Sequence, residues 1–174
     1  MSHRAALVAG SLALALALAP PAPATAAQGS GPSDWRPFEG SWSASGRREA
    51  VPVEGGAEAV VVELRGPVAV MRGDGLGRGF HGQAIGFDDG QGLVLGRAVW
   101  TDEHGDRIFS RLKGEPLGTG RRIEGTITGG TGRYEGLEGE YSFTWQYVVA
   151  AEDGAIQGRA VRLEGRVRRK GTTP

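Results

Sequence analysis

Apolar and polar residues alternate one by one along most of the chain. Tyr141, Phe143, Trp145, Tyr147 and Val149 fall on one side of a two-residue repeat, and Ser142, Thr144 and Gln146 fall on the other. That period belongs to a β-strand, whose successive side chains point to opposite faces. The same pattern recurs over residues 93–100, 107–112, 122–127 and 160–167. In the last of these Val161, Leu163, Gly165 and Val167 share a face. Shorter runs cover Val60 to Leu64 and Val68 to Met71, and Trp42 to Val53 reads as a first strand with Pro52 near its end. Asp88-Asp89-Gly90-Gln91-Gly92, Asp102-Glu103-His104-Gly105-Asp106 and Glu152-Asp153-Gly154 read as tight hairpins with glycine in the left-handed region. Tight hairpins make neighbouring strands antiparallel. About eight strands follow, with no amphipathic helix of three turns. The simplest closure is an all-β, antiparallel, eight-stranded up-and-down barrel, which removes both sheet edges; a β-sandwich is the alternative.

Residues 129–139, GGTGRYEGLEG, interrupt the alternation between two strand patterns. Gly129 and Gly130 let the backbone take positive φ and leave the strand sharply, and positive φ is expected at Gly132 too. Thr131 is placed to accept from a nearby backbone N–H. Gly132 to Glu138 is long enough for one tight helical turn, with Tyr134 and Leu137 on one side and Tyr134 as a plug under the barrel end. A new strand is expected at Glu140. A glycine-rich turn can also cradle phosphate, but here no Lys-Ser/Thr pair, no long helix and no βαβ pattern follows. The segment resembles the GGTG-aromatic corner of the allene oxide cyclase and dirigent proteins and of small bacterial barrels like them. The resemblance covers these eleven residues closely and the all-β pattern of residues 40–168 more loosely. It implies a barrel around a small apolar molecule. Such a barrel either folds a reactive fatty-acid epoxide for ring closure or orients phenoxy radicals. The corner residues Gly129, Gly130, Thr131, Gly132 and Tyr134 carry over as structure, and no catalytic residue of either group maps onto this chain.

The N-terminal segment has a different character. A basic start, Met1-Ser-His-Arg4, precedes an Ala/Leu run from Ala5 to Ala19, a proline-rich break, and small residues at Ala24-Thr25-Ala26. This is the grammar of a secretory signal peptide cleaved near Ala26. The apolar run of about fifteen residues falls short of the roughly twenty needed to span a bilayer. Residues 1–26 are thus expected as a signal peptide, 27–39 as a flexible leader, 40–168 as one barrel domain, and 169–174 as a frayed tail. The expected location is secreted or periplasmic, with no membrane attachment after cleavage. The chain has no cysteine, so an exported domain would owe nothing to disulfides. Its 20 basic and 20 acidic residues balance, which argues against a nucleic-acid partner.

Candidate chemistry is sparse. Gly-Arg pairs recur, at Gly46-Arg47, Gly77-Arg78, Gly96-Arg97, Gly120-Arg121, Gly132-Arg133, Gly158-Arg159 and Gly165-Arg166. The simple reading is glycine relieving crowding in a coiled barrel and arginine covering its outside. Arg97 and Arg159 are singled out as exceptions, because each shares a strand face with aliphatic residues. His104 reads as part of a solvated turn rather than a metal loop, and His81 as a rim residue. No nucleophile elbow is present, and no metal or cofactor is implied. The expected function is non-covalent binding of a small apolar or aromatic molecule, with Phe143, Trp145 and Arg159 as ligand contacts. An enzyme reading is a cofactor-free isomerase or cyclase using His81, Arg97, Glu124 and Tyr141. Such catalysis needs few groups, because confinement alone lowers barriers. A third reading is a structural or interaction protein of the cell envelope. In it the aromatic strand faces outward and builds a homo-trimer or dimer.

Overall fold

The computed structural model describes residues 34–117 and 120–171. The expected signal peptide, residues 27–33 of the leader and the last three residues of the tail lie outside the described residues. Eight antiparallel strands follow one another around a closed barrel. They are β1 (Arg36–Pro52), β2 (Glu58–Gly73), β3 (Gly79–Asp88), β4 (Val94–Asp102), β5 (Arg107–Leu117), β6 (Gly120–Gly130), β7 (Leu137–Ala150) and β8 (Ala155–Arg169). Every strand pairs with its sequence neighbours, and β8 returns to β1. The sheet therefore has no free edge.

Alternation decides which side of the wall each residue meets. On β7, Tyr141, Phe143 and Trp145 are buried in the barrel core, so the outward-facing aromatic interface expected as one reading does not form. Tyr147 and the residues after it emerge at the rim and are exposed. The expected hairpin glycines Gly90, Gly105 and Gly154 do take positive φ.

Several boundaries differ from the expected ones for identifiable reasons. β1 begins at Arg36 rather than near residue 40, because Phe38 and Gly40 are buried and pair with both neighbouring strands. β8 continues through Arg169, which pairs with Leu137. The runs at Val60 and Val68 are one strand, since β2 passes through Gly66-Pro67 without breaking. The ladder to β1 simply lapses there, between the pairs Ser45↔Arg65 and Trp42↔Val68. On β8 the inward set is Ile156, Gly158 and Ala160, then Leu163 and Val167. Its parity shifts by one at Arg162, the only non-glycine residue with positive φ among the described residues, at 56°. A bulge there lets two residues of β8 stand against one on each neighbour.

One barrel end is closed. The loop between β6 and β7 carries a short 3-10 turn, Gly132–Tyr134. It lays Tyr134 under the barrel, 1% exposed, against Phe80 with ring centroids 5.7 Å apart. Thr131 accepts from the Arg107 N–H through Oγ1 at 2.9 Å, stitching the turn to β5. Gly129 and Gly132 have positive φ, as expected, whereas Gly130 does not. Gly130 is required for space instead. A Cβ there would lie 2.5 Å from the Arg107 carbonyl oxygen and 2.6 Å from Tyr134 Cβ. The next strand begins at Leu137, earlier than Glu140, after a left-handed Gly136.

Candidate functional site: an apolar cavity under an ion pair

The two halves of the barrel wall carry side chains of very different size. On the inner face of β3, β4 and β5 stand Ala84, Gly86, Gly96, Ala98 and Gly114. Opposite them, β1 and β7 contribute Trp42, Phe143 and Trp145. Small residues facing large ones leave a cavity of about 320 Å³ toward the end opposite Tyr134. Its lining is mostly aliphatic and aromatic, including Val60, Val62, Leu64, Leu112, Ile123, Phe143, Trp145 and Ile156. The volume sits at the lower end of what small-molecule sites occupy.

The aromatic side is a connected stack. Trp42 and Trp145 have ring centroids 5.3 Å apart, and Trp42 meets Phe143 edge-on at 6.0 Å. Below them Tyr141 stacks parallel to Phe143 at 6.3 Å and contacts Trp100 at 5.0 Å. Such contacts between rings hold the floor of the cavity in one geometry. Tyr141 is part of that floor: its phenol is pushed up to about 12 by burial, with the Ser110 hydroxyl pulling the other way.

The mouth is polar. Asp88 ends β3 and Arg121 begins β6, both pointing inward, and they form an ion pair. Two strands separate β3 from β6 on one side of the barrel and four on the other, so the pair spans the opening rather than lining it. Asp88 also accepts from the Gly90 N–H at 2.9 Å, which fixes the carboxylate in place. Arg48 lies at the same rim and is paired with Glu58.

The opposite, closed end has its own polar cluster. Asp102 is buried and accepts from the His104 and Asp106 N–H groups at 2.8 and 3.0 Å and from the Tyr134 hydroxyl at 3.0 Å. Arg133 Nε lies 3.2 Å from it. Burial pushes the Asp102 carboxyl up. The His104 N–H, the Tyr134 hydroxyl, the Asp106 N–H and the Arg133 charge together outweigh that and hold it below the usual carboxylate range. Tyr134 is pushed up to about 12, first by burial and then by its bond to Asp102. The 102–106 hairpin is therefore not the simply solvated turn its composition suggests. Among the described residues no cluster of His, Cys, Asp and Glu is arranged to hold a metal ion.

The residues singled out from the sequence do not converge. His81, Arg97, Glu124 and Arg159 are all exposed on the outer wall, on β3, β4, β6 and β8. Of the four proposed for catalysis only Tyr141 faces inward, so the set cannot act on one molecule inside the barrel. Phe143 and Trp145 do line the cavity, and Arg159 does not. Arg97 and Arg159 follow the simple reading of the Gly-Arg pairs, with glycine inside and arginine outside. The arginine that enters the site is Arg121, and a signal for it was present. It lies two residues before Ile123 on the face shared with Gly125 and Ile127. Trp42, Asp88 and Gly86 were also missed as lining residues. Asp88 looks like hairpin residue until the strand before it is recognised.

No protein-family model matches this chain, and no curated protein matches it either.

Proposed function

We propose that the protein is an exported β-barrel that binds one small apolar or aromatic molecule in the cavity beneath the Asp88–Arg121 pair. The observation that carries this reading is the cavity itself, about 320 Å³ with a predominantly apolar lining and a connected aromatic floor. A barrel of eight strands can equally be filled by its own side chains; here glycine and alanine stand where larger residues would close it. The N-terminal pattern supports export. The GGTG corner supports kinship with the allene oxide cyclase and dirigent barrels, in which a small molecule is held within the wall. A cofactor-free cyclase remains the enzyme form of this reading, but its four candidate groups stand on different faces. Binding without turnover is the better-supported form.

Uptake of the neutral fluorophore N-phenyl-1-naphthylamine tests the proposal. Gly86 supplies the control, since a Cβ built on it meets nothing closer than the Leu95 carbonyl oxygen at 3.6 Å. Gly86→Leu should fill the cavity and abolish the fluorescence gain while leaving the melting temperature unchanged or higher. Saturable binding by the unmodified protein that disappears in Gly86→Leu supports an internal site. No uptake, or uptake indifferent to the substitution, would sink it. Extraction of natively purified protein followed by mass spectrometry would identify the natural occupant.

A further inference from the structure

The outer wall carries an apolar patch that the cavity does not explain. Val61 on β2, Phe87 on β3 and Leu95 on β4 are directly paired across adjacent strands. Ile85 lies one step along β3 on the same face. These four side chains are 43–54% exposed, and the other phenylalanines of the chain are more deeply buried than Phe87. Scattered apolar residues on a surface need no explanation, but a contiguous row across three strands does. Flanking Ile85 in the neighbouring row are Glu63 on β2 and Arg97 on β4. Arg97 has no ion-pair partner among the described residues. Glu63 takes both contacts from Arg65 on Oε1, which leaves Oε2 without one.

We propose that this face docks on the same face of a second copy of the chain, about a two-fold axis parallel to β3. Within these two rows the charge arrangement favours that partner and that axis. Rotation about a line along β3 exchanges β2 with β4. Phe87 then meets Phe87 and Ile85 meets Ile85, Val61 covers Leu95, and Glu63 faces Arg97 twice over. Within these two rows apolar residues meet apolar ones and the free Oε2 of Glu63 meets Arg97, while one row further Arg65 lies over Val99. Rotation about a line across the strands, midway between the two rows, would instead place Val61 on Glu63 and Leu95 on Arg97, burying charges against aliphatic groups at a cost. The self-complementary pattern is what an isologous interface requires. Asp89, just beyond the end of β3, is turned into its own loop, where its Oδ1 accepts from the Gln91 and Leu93 N–H groups at 2.8 and 2.9 Å.

Sedimentation velocity of the purified protein across the micromolar range decides the matter. A dimer is expected. Phe87→Glu puts two like charges on the axis and should raise the dissociation constant at least about thirtyfold, the threshold of an interface hot spot. Arg97→Glu should weaken the dimer, and adding Glu63→Arg to it should restore association. That rescue does not depend on whether Phe87→Glu folds normally. A monomer throughout, a trimer, or a dimer indifferent to the charge reversal and its rescue would overturn the proposal.

Discussion

Asp102 shows how much of the closed end depends on one carboxylate. It accepts from its own hairpin and from the plug, so β4, β5 and the β6–β7 corner meet on it. Because its carboxyl is held below the usual range, its contribution is present above the unfolded pKa near 4 and is lost as pH falls through the folded value. Asp102→Asn should flatten the acid side of a stability–pH profile measured by denaturant titration. Tyr141 acts at the other extreme. With its phenol raised from 10 to about 12, the stability it secures is complete below pH 10 and is lost as pH rises through 12. At about 1.4 kcal/mol per pH unit this approaches ~3 kcal/mol, and Tyr141→Phe should remove that part of the alkaline loss. Gly130 is constrained by contact rather than by φ. Even Gly130→Ala drives a methyl into the Arg107 carbonyl and Tyr134, so it should cost about 1–3 kcal/mol, and Gly130→Val more. Tyr134→Ala, which empties the plug, should cost about 3–5 kcal/mol. A Gly130→Val protein that melts like the unmodified one would mean that the corner gives way, contrary to the contacts seen.

At the scale of elements, alternation was legible wherever a strand is regular and hidden wherever one is not. The period of β7 identified a strand with an aromatic face, but period two is blind to which face is inside. That was settled only when closure of the barrel put the β7 aromatics against Trp42 and Trp100. β3 was nearly invisible, because its inner face reads Gly82, Ala84, Gly86 and its outer face carries Gln83, Ile85 and Phe87. The outside is therefore the more apolar side, the reverse of the usual signal. The same inversion conceals the cavity and creates the exposed patch, so the features that matter most for function lie where the pattern is weakest. β2 seemed divided because Gly66-Pro67 normally ends a strand. The structure tolerates the pair where the β1 ladder lapses and no proline N–H is needed. Parity along β8 failed after Arg162 for a different reason: a bulge adds one residue, and every side chain beyond it changes face. The expected count of about eight strands matches the barrel because β2, which reads as two runs, offsets β3, which reads as none.

For the whole molecule, the wall matters less than what closes its two ends. Tyr134, Phe80 and the Asp102 cluster seal one end with buried groups, while the other is crossed, among the described residues, by the Asp88–Arg121 ion pair. If the cavity is the binding site proposed above, Asp88–Arg121 controls passage more than affinity, because a bound molecule contacts mainly the aromatic floor and the aliphatic walls beneath it. Asp88→Asn separates the two roles. The amide oxygen can still accept from the Gly90 N–H, so the β3 end stays in place, but the charge that holds Arg121 across the opening is gone. Asp88 is buried and Arg121 about a third exposed, so losing the charged contact should cost about 1–3 kcal/mol and lower the melting temperature modestly. Stopped-flow uptake of N-phenyl-1-naphthylamine should then show association and dissociation both faster, by roughly the factor of five that breaking a contact worth about 1 kcal/mol allows, with the equilibrium affinity little changed. A loss of affinity carried by dissociation alone would instead make Arg121 or Asp88 a direct contact of the ligand. Unchanged rates in both directions would mean that the molecule enters by another route, such as between strands.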